Sequence, residues 1–286
     1  MLLSSYKLNV MHNRREFLKL GFRAAVIISA GNVLQSFTAS TFKLPPKDNV
    51  SLRFAIVSDG HYGQPETDYE SLHNQMVDWI NAEQKGRGVE FCFVNGDLFH
   101  DNNAMMLLAK QQWDKLEIPY YVSHGNHDKI NEDVWQQIFK TKWHYTFEKQ
   151  DVGFIVLNSA DETGKYICPD LDFAKEQLNK YAAKKHLFVF MHITPFNWTK
   201  AGLPCPELTT MFGKQQNLKA VFHGHDHDED GMKESDGKHY FFDSHVAGNW
   251  GTEYHGYRII EILNNGNILT YQMNPVKQEQ VNSNNV

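Results

Sequence analysis

The 286 residues are 41% hydrophobic, 13% aromatic and 22% charged, the balance of a globular chain with a large core and not of a disordered one. The formal net charge is −6, and without the first forty residues the count is 23 basic against 33 acidic side chains, or −10. That sign argues against stable nucleic-acid binding, while a small phosphorylated substrate stays open because bound metals reverse the local charge.

The N-terminus reads as an address. Asn13-Arg14-Arg15-Glu16-Phe17-Leu18-Lys19 resembles the twin-arginine export signal of bacteria, with Asn13 where Ser or Thr is usual. A moderately apolar stretch over residues 20–34 comes next, broken by Arg23 and Asn32, and then the small residues Ser36, Thr38, Ala39 and Ser40. This is the basic, apolar, small-residue order of a secretory signal. The apolar part is too weak for a spanning helix, which needs roughly 20 mostly apolar residues. The resemblance implies that residues 1–40 are an export signal read by the twin-arginine translocation machinery, with a periplasmic or otherwise exported product and no permanent membrane span. Residues 41–49 read as a linker around Pro45-Pro46, residues 50–275 as one domain, and residues 276–286 as a loose polar tail.

Inside the domain, short apolar runs alternate with helical patterns, which predicts a layered α/β fold. Residues 52–57 form the first predicted strand, ending at Asp59-Gly60-His61. Leu72, Met76, Trp79 and Ile80 recur at helical spacing. Residues 91–94 are the next strand, ending at Gly96-Asp97, and a helix is predicted over 105–116. Residues 120–123 lead into His124-Gly125-Asn126-His127-Asp128, before a helix at 134–139. A hairpin is predicted from residues 143–147 and 154–157, turning at Asp151-Val152-Gly153. Leu171, Ala174, Leu178 and Tyr181 mark a helix capped by Asp170 or Asp172. Strands at 187–191 and 220–222 end at His192 and at His223-Gly224-His225-Asp226-His227. Residues 239–242, 257–262 and 268–272 read as a closing meander. Three cysteines are too few and too scattered for a disulfide framework. Cys92 reads as a buried small hydrophobe; Cys168 and Cys205, beside prolines in loops, are expected to stay unpaired, with pairing in an oxidising compartment the less favoured alternative.

The informative residues stand just beyond each apolar run, because ligands gather at the carboxyl ends of strands in open α/β sheets. Asp59 and His61 are two apart, as are His225 and His227, so an extended segment would point each pair to one side. Asp97 is an anionic oxygen donor suited to bridging two cations, and Asn126 offers a neutral amide oxygen. Carboxylate, imidazole and amide without thiolate favour Mn, Fe or Zn. A single histidine in such a place is more often a packed loop residue. Here five of the fifteen fall in one ordered series, which reverses that expectation.

Asp59-x-His61, Gly96-Asp97, Gly125-Asn126-His127-Asp128, a lone strand-end His192 and Gly224-His225-x-His227 together resemble the calcineurin-like metallophosphoesterases. The resemblance implies an α/β, four-layer β-sandwich flanked by helices, with a binuclear metal site at the strand C-terminal ends. It implies two divalent or mixed-valence ions, one held by Asp59, His61, Asp97 and His227, the other by Asp97, Asn126, His192 and His225. His127 matches the family's catalytic, non-ligand histidine. In that family a hydroxide between the metals attacks phosphorus in line and the histidine supplies a proton to the leaving group.

The sequence also departs from the family. His100 stands three residues after Asp97, where purple acid phosphatases carry a metal-binding Tyr, which argues against that branch. Protein Ser/Thr phosphatases set an Asp at that offset to orient the catalytic histidine; Asp101 lies one residue further on. Ile193 stands where a second His is common. Phe196, Asn197, Trp198 and Trp250 fall in loops expected near the mouth, where loop packing and substrate stacking are equal readings. Residues 256–262 resemble the closing strand of phosphodiesterase-like members. The expectation is a hydrolase of phosphoester bonds, phosphodiesterase-like, acting on a small phosphorylated substrate. The alternatives are a phosphomonoesterase or pyrophosphohydrolase with the same centre, and an inactive metal-stabilised binding module.

Overall fold

Alternation along the buried strands builds two sheets back to back in this computed structural model, which describes residues 26–29, 32–36, 46–277 and 279–281. The first sheet holds β1 (Val26–Ser29), β2 (Asn32–Ser36), β3 (Val50–Val57), β4 (Phe91–Asn95), β5 (Tyr120–Ser123), β12 (Tyr257–Leu263), β13 (Ile268–Asn274) and β14 (Glu279–Gln280). Its order is β2-β1-β13-β12-β3-β4-β5, with β14 also on β13. The second holds β6 (Tyr145–Lys149), β7 (Val152–Val156), β8 (His186–Phe190), β9 (Leu218–His223), β10 (Met232–Ser235) and β11 (Lys238–Phe242), in the order β10-β11-β9-β8-β7-β6.

Every strand that precedes a motif runs parallel to its motif-bearing neighbour: β3, β4 and β5 in one sheet, β8 and β9 in the other. Parallel strands covered on both faces need near-continuous apolar runs, and β3, β4, β8 and β9 supply them at residues 54–57, 91–94, 187–190 and 220–222. Phe54, Ile56, Phe91, Phe93, Phe188, Phe190 and Phe222 point between the sheets. Phe93 and Phe190 stack across that gap with ring centres 3.7 Å apart. The outer face of the first sheet, including Val57, Val94 and Val122, is covered by α1 (Tyr69–Arg87), α2 (Met106–Trp113) and α3 (Glu132–Phe139). Ile155, Val189 and Val221 on the second sheet are covered by α4 (Leu171–Lys180) and α5 (Pro206–Lys214). Helix, sheet, sheet, helix is the four-layer arrangement that the resemblance implied.

The two halves of the sandwich therefore bring all their motif-bearing strand ends to one edge. Caps fix where the helices begin and end. Asp170, not Asp172, caps α4 by accepting from Phe173 N–H, and Asn131 caps α3 through Val134 N–H. Gly88, at φ 78°, closes α1 with N–H bonds to the Glu83 and Gln84 carbonyls.

Three expectations are corrected, and two elements were not anticipated. The β6–β7 turn lies at Gln150-Asp151, because Gln150 adopts a left-handed φ of 52° and frees Val152 and Gly153 to pair in β7. The closing meander is divided: β11 pairs parallel with β9, while β12 and β13 belong to the first sheet. Helix α5 and strand β10 were not anticipated; α5 announces itself only by Pro206 at its first turn. Cys168 and Cys205 are joined in a disulfide, which ties the loop after β7 to the start of α5. Residues 26–29 and 32–36, within the stretch read as an export signal, lie as strands with β1 antiparallel to β13. The arginine pair itself, and most of the linker and polar tail, lie outside the described residues. No helix among the described residues is long and apolar enough to cross a membrane.

Candidate metal centre

Five strand ends deliver polar side chains into an otherwise apolar sandwich. Asp59, His61, Asp97, Asn126, His192, His225 and His227 are all buried, between 0% and 7% exposed. The turns that aim them are strained. Asp59, His61, Asp97 and His225 have φ values of 58°, 43°, 52° and 66°, a region non-glycine residues avoid. The Asp59–His61 and His225–His227 pairs thus reach the centre through left-handed turns, not through the extended segments the spacing suggested. Gly125 is required here: a Cβ at this position would overlap the Asp97 side chain and backbone.

The side chains converge as two groups. Asp59, His61 and His227 form one, and Asp97, His192 and His225 the other; within each, the donor atoms lie within 4.8 Å of one another. His227 Nε2 lies 3.1 Å from Asp59 Oδ1, and His192 Nε2 lies 3.1 Å from Asp97 Oδ2. His61 Nε2 lies 3.6 Å from Asp97 Oδ2, and His192 Nε2 lies 3.7 Å from Asp59 Oδ1, so the groups adjoin. Backbone carbonyls fix two of the rings. His192 Nδ1 donates to Asn95 O at 2.7 Å and His227 Nδ1 to Trp250 O at 3.1 Å, which turns each Nε2 inward.

Electrostatics explain why such a cluster suits a cation. Burial works against the charge of Asp59 and Asp97, yet His227 and His192 foremost hold both carboxyls below the usual range. Burial likewise opposes a charge on His192, but Asp97 and Asp59 outweigh it and push its pKa up to about 10. A proton on that ring occupies the place of a metal cation. Burial and the neighbouring His192 lower His225 to about 4, and burial holds His61 well down, so both rings stay neutral. The buried Nε2 of His225 and Oδ1 of Asn126 have no hydrogen-bond partner among the described residues, and His192 Nε2 faces the Asp97 carboxylate. Buried polar atoms left unpaired are costly, and a divalent cation would satisfy both and take the place of the proton on His192. The donor set fits metal ions.

Asn126 is set beside Asp97 by its neighbours, since Gly125 packs on that carboxylate and His127 N–H donates to Asp97 Oδ1 at 2.8 Å. The His127 side chain faces the rim and is 31% exposed. Its Nδ1 lies 3.0 Å from Asp101 Oδ1, which also takes Lys129 Nζ at 2.9 Å. Asp101 reaches His127 despite its offset because its φ of 56° turns the chain, and its N–H bonds the His127 carbonyl. Three contacts were not foreseen. His100 Nδ1 meets His61 Nδ1 at 2.9 Å, and the His100 ring stacks on His127 at 4.6 Å. Tyr166, in the loop after β7, sets its ring against His225 at 4.9 Å; nothing in its sequence context marks it. His61, His100 and His127 form a third grouping with donor atoms within 4.8 Å.

No curated protein matches the sequence. Among solved structures, a dimetal phosphatase from Danio rerio aligns with a TM-score of 0.63 at 12% identity, over 81% of this chain and 98% of that one. A purple acid phosphatase from yellow lupin gives 0.60 at 13% identity, over 86% of this chain and 55% of that one. A calcineurin-like phosphoesterase from Bacillus subtilis gives 0.51 at 14% identity, over 82% and 93%. Identities this low establish the fold alone. The family comes from the sequence itself: residues 52–229 match calcineurin-like phosphoesterase, and with the fold and site above, the chain belongs to that family of hydrolases acting on phosphoester bonds.

Proposed function

We propose that the chain is an exported, two-metal phosphodiesterase acting on small substrates. The observation that carries the two-metal reading is the convergence of Asp59, His61 and His227 beside Asp97, His192 and His225, with His225 Nε2 and Asn126 Oδ1 left without partners among the described residues. In this reading Asp59, His61 and His227 hold one ion, Asn126, His192 and His225 hold the other, and Asp97 serves both. Manganese, iron or zinc suits these ligands. When bound, such ions supply Lewis acidity toward phosphoryl oxygens and water.

The chain's own residues supply the rest. His127 donates from Nδ1 to Asp101, which leaves Nε2 to hold a proton for the departing oxygen. Asp101 keeps that ring in place. Diesters are preferred over monoesters because the Lys129 charge beside His127 is already met by Asp101. That leaves little beyond the metals for a monoester's second negative charge. The phosphodiesterase-like closing strand and His100 in place of a ligand tyrosine support the same choice. The test is a panel assay on metal-reconstituted protein with bis- and mono-p-nitrophenyl phosphate, cyclic nucleotides and nucleotide sugars. Diesters should have the higher kcat/KM; an excess for monoesters across several leaving groups would overturn the preference.

Export rests on the Arg14-Arg15 signal, and the Cys168–Cys205 disulfide supports it, since such bonds persist in oxidising compartments. Replacing both arginines by lysine keeps the charge and removes the signal's distinctive side chains. Precursor should then accumulate in the cytoplasm of a bacterial host. Unchanged periplasmic delivery of the double variant would rule this route out.

A further inference from the structure

The aromatic side chains near the mouth have different fates. Phe196 and Trp198 stack on each other at 3.8 Å and meet Tyr240 edge-on at 4.9 and 5.2 Å, so their faces are consumed in loop packing. Trp250 is different. Its ring lies parallel to His227, 4.2 Å away and tilted by 3°, yet the residue remains 49% exposed. With one face covered by the imidazole, that exposure belongs to the opposite face and the rim.

The loop that carries Trp250, between β11 and β12, is fastened to the centre. Val246 N–H donates to Ser58 O at 2.8 Å, Ala247 N–H to Asp59 O at 3.0 Å, and Thr252 N–H to His227 O at 2.9 Å. Gln64 Nε2 donates to Asn249 Oδ1 at 3.1 Å, and the Trp250 carbonyl accepts from His227 Nδ1. Gly251, at φ 118°, lets the loop close against the His227 backbone, where any Cβ would overlap it. An exposed indole held this firmly loses little entropy when a second ring covers it, and its amphipathic face suits a planar partner.

We propose that Trp250 is a specificity-determining platform, on which a planar aromatic group of the substrate stacks while its phosphoryl group lies at the centre. The group is a nucleobase or an aryl ester substituent. This rests on the hydrolase reading and narrows its substrate class. The bland alternative, in which Trp250 only shields His227 from water, predicts equal effects on every substrate.

Two measurements on the wild type and on Trp250→Leu, which keeps an apolar cover on His227, separate these. The first is tryptophan fluorescence during titration with AMP, phenyl phosphate or inorganic phosphate, which needs no turnover. The wild type should respond to AMP, phenyl phosphate or both, and not to inorganic phosphate, and the variant should lose that response. A response to AMP alone names the nucleobase; a response to phenyl phosphate alone names the aryl group. The second is the split of KM and kcat for thymidine 5′-p-nitrophenyl phosphate, bis-p-nitrophenyl phosphate and the ring-free diester glycerophosphoglycerol. In the variant, KM for ring-bearing substrates should rise roughly ten- to a hundredfold, as expected for loss of one stacking partner. For glycerophosphoglycerol the rise should stay several-fold smaller. Equal losses on all three, or an unaltered fluorescence response in the variant, would overturn the platform. A wild type that turns over none of the three would defeat the hydrolase reading instead, and the titration would still decide the role of Trp250.

Discussion

Asp97→Asn should remove at least one metal ion and nearly all turnover while leaving the fold in place. The asymmetry of the carboxylate is the reason. Oδ1 accepts the His127 N–H at 2.8 Å, and an asparagine oxygen preserves that bond. Oδ2 faces His192 Nε2 and His61 Nε2 at 3.1 and 3.6 Å, one ring from each group, and an amide there carries no charge and presents hydrogens instead of a lone pair. In the proposed assignment Asp97 serves both ions, so its loss weakens both sites, whereas a change at His225 removes a ligand from one. Circular dichroism should be unchanged and elemental analysis should give fewer than two ions. Two tightly held ions in this variant would refute the bridging assignment.

His127→Ala should do the opposite: keep the metals and lose the chemistry. No contact of this side chain places it inside either group of buried donors; its Nδ1 is engaged with Asp101 and its ring lies on the rim. Turnover should fall by roughly 10²–10⁴-fold, the usual effect of removing a positioned general acid. The loss should shrink for p-nitrophenolate, which leaves without needing a proton, and be greatest for alkoxides. Metal content measured beside a leaving-group series decides the matter. Loss of the ions would make His127 a ligand, and a rate loss independent of leaving-group pKa would make it a positioning residue only.

Much of the centre was legible because its chemistry is written in short, ordered motifs at strand ends. The buried strands announced themselves by apolar runs such as Phe91–Asn95, and each ended beside the side chain that mattered. What spacing misjudged was conformation. Asp59 and His61 converge through left-handed residues that sequence periodicity cannot foresee. The same holds for Asp101, whose one-residue offset is absorbed by a single positive φ. The turn at Gln150 and the pairing of Cys168 with Cys205 depend on three-dimensional closure, to which local pattern is blind. Strand β10 lies at a sheet edge with mixed polarity and gave no apolar signal. Trp250 was visible as an aromatic in a loop, but only the parallel approach to His227 distinguishes it from Phe196 and Trp198.

The central claim is that two adjoining groups of buried side chains each hold a metal ion. Anomalous diffraction from crystals of the metal-loaded protein, with elemental analysis of the same preparation, tests it most directly. Two ions per chain are expected, one among Asp59, His61 and His227, the other among Asp97, His192 and His225, with Asp97 touching both. A single ion, or a second ion seated at His61, His100 and His127 instead, would contradict it.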